Sequence, residues 1–138
     1  MRDLRDQDKI LYFDFKTLVQ INAEVVSLTG DKHEYTKEDE RKLRQLLTEV
    51  EETSIDRDRN ESIIQKVSLL IFGLANGQHF HEGNKRTALV AAESFLKANR
   101  YTIDMKDKGL LQVVDKAGIG QASLSKVSKI IARLIRNV

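Results

Sequence analysis

An all-α fold is what this sequence predicts: a compact bundle of about six helices, with room for one small β-hairpin. Three observations lead there. Proline is absent and glycine occurs only seven times in 138 residues, so the chain lacks the strongest interior helix breaker. Apolar residues recur at steps of three and four along most of the chain. Side chains that cap helices stand at the heads of several of these repeats.

The elements follow in order. Leu18, Ile21, Val25 and Leu28 form the first stripe, with Asp14 as a candidate N-cap and Gly30 where a terminating glycine belongs. Thr36 and Asp39 resemble a capping box with Asp in place of Glu or Gln. They open a second helix through Leu43, Leu46, Leu47 and Val50. Residues 51 to 60, EETSIDRDRN, carry many charges and little apolar content, and read as a loop or short hairpin. A third helix runs from about Glu61 to Asn76. Its stripe of Ile63, Val67, Leu70 and Leu74 is widened by Ile64 and Ile71, and a helix apolar nearly all round is usually central. A fourth runs from about Asn84 to Asn99, with Ala88, Leu89, Ala92, Phe95 and Leu96 inward. A fifth covers about Met105 to Lys116. Gly118 and Gly120 then break the chain, and Ser123 caps a last helix striped by Leu124, Val127, Ile130, Ile131 and Leu134.

Hydrophobic residues at 41% fit a globular class, and the length fits one domain over residues 1–138. There is no cysteine, hence no disulfide framework and no thiolate metal site. The charged amino terminus has no apolar signal core, and no apolar run approaches the roughly 18 residues of a membrane span. These features fit a cytoplasmic protein with no membrane association. The net charge of +2 does not announce nucleic acid. Its distribution is uneven: from Met105 onward seven Lys/Arg face two Asp/Glu. This basic region suits an acidic partner or a solvated helix face. It has no nucleic-acid motif and no aromatic platform.

The informative stretch is QHFHEGNKRT, residues 78–87. Asn84, Lys85 and Arg86 open the fourth helix. A helix start carries partial positive charge, so each cation there costs about 0.3–1 kcal/mol. Two in a row point to an anion that joins them. Backbone N–H groups, Gly83 for close approach, and the Lys85 and Arg86 side chains make a phosphate cradle. Glu82 repels a bare phosphate but suits one that arrives with magnesium, which binds carboxylate and phosphate oxygens together. A solvated interhelical loop is the plain alternative.

This stretch resembles the signature of the Fic/Doc (Fido) family, His-Pro-Phe-x-Asp/Glu-Gly-Asn-Gly/Lys-Arg. Phe80, Glu82, Gly83, Asn84, Lys85 and Arg86 fall in register, and TALVAAESFLKANRY continues like the helix that follows the motif in the Doc branch. The resemblance covers about Glu61 to Thr102; the first third and the last helix agree in pattern only. It implies an all-α fold that binds ATP or another nucleoside triphosphate with Mg2+ and transfers part of it to a protein hydroxyl. Fic proteins proper transfer AMP, whereas Doc transfers the terminal phosphate and acts as a toxin held by a separate antitoxin. Lys85 in place of Gly, and Leu89 in place of a second motif arginine, lie nearer Doc. On the resemblance Glu82 is the magnesium ligand, Gly83, Asn84 and Lys85 line the cradle, and Arg86 neutralises charge on the transferring group. Residues Glu51–Asn60 are then the flap that aligns the target by strand addition. Thr48 and Glu52 have the spacing of an inhibitory motif found in some Fic proteins, but Thr53 follows where Gly or Asn is needed.

The match departs at the general base. The family's histidine position is Gln78 in a gap-free register, and its proline position is His79. Glutamine takes no proton near neutral pH, and a general base is worth about 10²–10⁴-fold. Three arrangements fit: a natural pseudo-enzyme, a chain inactivated at this position, or a loop shifted by one residue so that His79 supplies the imidazole. His81 occupies the variable position. His33 lies in a polar turn and is assigned nothing. Two histidines two apart, without further ligands, do not make a transition-metal site. Two functions therefore stand side by side. One is a transferase acting on a protein hydroxyl. The other is a catalytically silent Fido domain that binds a nucleotide or a partner.

Overall fold

The computed structural model describes residues 9–29 and 34–138. Gly30 and His33 lie outside the described residues. Among the described residues there are six helices: α1 (Phe15–Ser27), α2 (Lys37–Glu52), α3 (Arg59–Gly77), α4 (Asn84–Ala98), α5 (Lys108–Gly118) and α6 (Leu124–Leu134). Two short strands, β1 (Tyr101–Thr102) and β2 (Arg136–Asn137), pair antiparallel, with Tyr101 opposite Asn137 and Thr102 opposite Arg136. The all-α bundle expected from the sequence is thus present, together with a small two-stranded element.

Capping chemistry starts five of these six described helices. Asp14, Asp58, Asp107 and Ser123 each accept a backbone N–H from the first turn of α1, α3, α5 and α6. Thr36 and Asp39 form the reciprocal capping box of α2, with Thr36 N–H donating to Asp39 Oδ2 at 2.9 Å and Asp39 N–H to Thr36 Oγ1 at 3.0 Å. Such caps satisfy donors that a helix start otherwise leaves without partners. Helix α5 begins three residues later than Met105, because Asp104 first closes a turn by accepting Lys106 N–H at 2.9 Å.

Helix α3 is the central element, as its all-round apolar character predicts. It packs against α2, α4, α5 and α6. Ile63, Val67, Leu70, Ile71, Leu74 and Ala75 are at most 1% exposed. Buried apolar residues from all six helices join them in one cluster. Gly73 lets α2 approach: a Cβ there would meet Leu46 Cδ1 at 2.5 Å.

Three buried polar residues on the inner faces tie elements together. Lys66 of α3 is 1% exposed, and its Nζ donates to the carbonyls of Val50, Glu51 and Thr53 at 3.0, 2.8 and 2.7 Å. It thereby caps the carboxyl end of α2, where a cation also meets the negative end of the helix dipole. Burial pushes its ammonium below the usual lysine range, and the nearby Glu51 opposes that shift. Asn99, 1% exposed, accepts Leu11 N–H at 2.7 Å and donates to Leu11 O at 2.9 Å and Phe95 O at 2.8 Å. It fastens the segment before α1 to the end of α4. Asn22 does the same service near the candidate site.

The segment Glu51–Asn60 is not a strand flap. Glu51 and Glu52 finish α2, residues 53–57 are turns, and Arg59 and Asn60 already belong to α3. Lys66 explains this, since it takes carbonyls that a strand ladder would need. The two-stranded element instead joins the end of α4 to the end of the chain. The segment also lies at the wrong pole: α3 spans 19 residues between it and the 78–87 motif, roughly 28 Å of helix.

Replacing Lys66 by Met keeps most of the side-chain volume but leaves three carbonyls without their donor. Unfolding in urea should show a loss of about 3 kcal/mol relative to the wild type.

Candidate functional site at the start of helix α4

The loop 78–83 joins the carboxyl end of α3 to the amino end of α4. Gln78 turns the chain in the left-handed region, at φ 53° and ψ 43°. Its Nε2 donates to Ala75 O at 2.8 Å and to Gly118 O at 3.2 Å. Asn76 Nδ2 donates to Ala117 O at 3.0 Å. The carboxyl ends of α3 and α5 are thereby held side by side.

Phe80 anchors the middle of the loop. It is 3% exposed, and Tyr35 meets its ring edge-on with centroids 6.1 Å apart. Asn84 then closes the loop: its Oδ1 accepts Phe80 N–H at 3.0 Å and its Nδ2 donates to Phe80 O at 2.8 Å. From α1, Asn22 Nδ2 donates to Glu82 O at 2.9 Å and to Thr87 Oγ1 at 3.0 Å. His81 N–H donates to Glu34 O at 2.9 Å, which holds the residues just before α2 against the motif.

Gly83 is the N-cap of α4 at φ 76°, and no side chain caps this helix. Glycine is required here for two reasons. The left-handed backbone favours it, and a Cβ would meet Val26 Cγ1 at 3.0 Å and Val25 Cγ1 at 3.2 Å. Close packing on α1 therefore needs Gly83 before any ligand does. No acidic residue stands in the first turn of α4, whereas Lys85 and Arg86 do. This uncapped, doubly cationic helix start contrasts with the five capped ones, and is what an incoming anion would complete.

A cavity of about 510 Å³ opens over this turn. Gln78, Glu82, Gly83, Asn84, Lys85 and Arg86 all line it, so the structure brings together the residues that the sequence singled out, with one exception. Leu89, Leu111 and Val114 supply an apolar wall. The role expected of Asn84 needs refinement: its amide is engaged by Phe80, so its side chain builds the cradle rather than reaching into it.

The exception is His79. It lines a different groove, with Lys42, Glu49 and Gly77. Its Nδ1 lies 3.9 Å from Asp39 Oδ1, and its side chain is 14% exposed. The left-handed turn at Gln78 sends the next side chain toward α2, and the absence of a side chain at Gly77 makes room for the ring. The idea that a one-residue shift brings His79 to the cradle is thus not what the loop does. His81 lines the cavity but stands half-exposed at its edge, with Nε2 3.9 Å from Glu82 Oε1.

A metal fits this site only in one way. Among the described residues, no group of three or more His, Cys, Asp or Glu stands ready to hold an ion. Glu82, half-exposed beside the helix start, suits magnesium that brings phosphate and water oxygens with it.

Two contributors were not singled out from the sequence. Asn22 left a signal, a polar residue beside the buried stripe of α1, and such a residue needs a partner. Asp115, whose Oδ1 lies 3.4 Å from Lys85 Nζ across the cavity, left none.

This geometry, a glycine-led and doubly basic helix start closed by the asparagine of the Phe80–Arg86 signature, is that of a Fido domain. The chain belongs to the Fic/DOC family, whose model matches residues 12–96. That span holds α1 to α3, the loop and nearly all of α4. No curated protein matches the chain. Among the described residues no helix is long and apolar enough to cross a membrane.

The environment of His79 makes stability depend on pH. Burial, the larger effect, holds its imidazole below the usual histidine range, against the pull of Asp39. The unfolded chain therefore takes up this proton more readily. Stability should be full above about pH 6.5 and fall as pH drops through the folded value. Urea midpoints at about pH 7.5 and about pH 5.5 should differ for the wild type, and differ less for His79→Gln.

Proposed function

We propose that this chain binds the polyphosphate of a nucleoside triphosphate, together with Mg2+, over the first turn of α4. In this reading it is a Fic/Doc-type transferase that passes a phosphoryl or AMP group to a protein hydroxyl. The observation that carries the reading is the convergence of an uncapped helix start, Lys85, Arg86 and Glu82 on one cavity. Membership of the Fic/DOC family supports it. Lys85 and Leu89 favour the Doc branch, and hence the terminal phosphate.

The chain's own groups have distinct tasks. Backbone N–H groups of the first turn and the Lys85 ammonium bind phosphate oxygens. The Arg86 guanidinium balances charge that builds on the group in transfer. Glu82 would hold the magnesium, which supplies further charge neutralisation when bound. The hydroxyl oxygen attacks phosphorus, the bond to the leaving group breaks (ADP if the terminal phosphoryl moves, pyrophosphate if AMP moves), and the hydroxyl proton must go elsewhere.

That proton has no acceptor at position 78. Gln78 has no basic atom near neutral pH, and its amide N–H groups are directed to Ala75 O and Gly118 O. Water must take the proton, so transfer runs about 10²–10⁴-fold below that of a site with histidine there. The same observation favours the second reading, a binding module that retains nucleotide with little or no chemistry. A separate partner fits either reading. Lys126, Lys129 and Arg133 lie on the exposed side of α6 and suit an acidic antitoxin segment. A reducing cytoplasm suits a chain without cysteine.

Calorimetry with a non-hydrolysable Mg·ATP analogue should give binding, and Lys85→Ala with Arg86→Ala should abolish it. Gln78→His, incubated with γ- or α-labelled ATP and cell lysate, should raise protein labelling by about 10²–10⁴-fold. Binding without any gain from Gln78→His leaves the module; flat calorimetric traces sink both readings.

A further inference from the structure

Lys85 does not stand alone in the cavity. Its Nζ lies 3.4 Å from Asp115 Oδ1, and both side chains line the same space as Arg86 and Glu82. Its stem rests on Gly118: a Cβ there would meet Lys85 Cε at 2.9 Å. The lysine is therefore laid along the last turns of α5, with its charge on a carboxylate of that helix. The position of α5 is itself fixed, since Asn76 and Gln78 donate to Ala117 O and Gly118 O. Asp115 lies beyond residues 12–96, the span matched by the family model.

We propose that Asp115 is a charge gate that selects magnesium-complexed over metal-free polyphosphate at this cavity. The proposal rests on the phosphate reading of the site. At the mouth, the charges of Glu82 and Asp115 cancel those of Lys85 and Arg86. A bare polyphosphate is left with the N–H groups of the helix start as its main attraction, and must also draw Lys85 away from its partner. A polyphosphate that carries magnesium brings its own positive charge toward the carboxylates, and Lys85 can exchange Asp115 for a phosphate oxygen. Asp115 is a positioning residue in this scheme. It acts through Lys85 and touches no reacting atom.

The test is calorimetry of the full chain with the ATP analogue, once with excess magnesium and once with chelator. The wild type is compared with Asp115→Asn, Asp115→Glu and Glu61→Gln. The last makes the same change in net charge at the far end of α3. Asp115→Asn should bind the analogue about two- to fivefold more tightly without magnesium. It should gain less with magnesium, so the ratio between the two conditions shrinks. Asp115→Glu and Glu61→Gln should keep the wild-type ratio. Because Asp115 is 69% exposed, thermal melting should not move with any of its variants. If the wild type binds and Asp115→Asn binds equally or more weakly, the gate is wrong while the phosphate site stands. If no variant binds and Gln78→His gains no transfer, the site reading fails and takes the gate with it.

Discussion

Everything at the candidate site depends on two asparagine amides. Asn84 ties both backbone groups of Phe80, and Asn22 ties Glu82 O and Thr87 across from α1. An amide offers donors and an acceptor in one plane, so a single side chain can close a loop on itself. Both are at least nine-tenths buried, where a lost partner is costly. The result is a short loop whose shape is set from inside. That leaves the outer surface of the α4 turn, where Lys85 and Arg86 stand, lining the cavity. Rigidity of this kind suits electrostatic binding, because the backbone N–H groups of the turn need no rearrangement when a ligand arrives.

The same economy recurs at the opposite pole. Lys66 gathers three carbonyls at the end of α2, and Asn99 holds the segment that enters α1. Lys66 and Asn99 each serve a helix end, and each supplies hydrogen bonds where the apolar core excludes water. Helix α3 runs between the two poles, with Lys66 in its first half and Gln78 just past its end. The connection after α2 and the motif loop are thus set by one central rod rather than by contact with each other.

Much of this was legible in the residues. Asp14, Thr36 with Asp39, and Ser123 announced helix starts that the backbone adopts, because side-chain capping is local chemistry. The Phe80–Arg86 signature placed the cavity for a related reason: its residues are consecutive, and a helix start brings consecutive residues to one side. What was not legible is long-range. Nothing near Lys85 announces Asp115, thirty residues away, and nothing near Lys66 announces three carbonyls on another helix. The flap was misplaced at Glu51–Asn60 for the same cause, since charge content marks a loop but not the pole of the molecule where it lies. His79 shows a subtler limit. One residue in the left-handed region reverses the direction of the next side chain, and a glutamine does not advertise that conformation as glycine or asparagine does.

The strand pair bears on how the protein can be handled. Val138 N–H donates to Arg100 O at 3.0 Å, so the chain's last described residue is stitched beside the end of α4. Helix α4 begins at the cavity and runs 15 residues away from it, roughly 22 Å. A tether attached at residue 138, to a sensor chip or a bead, would therefore emerge from the face remote from the cavity and leave its mouth turned toward the flowing analyte.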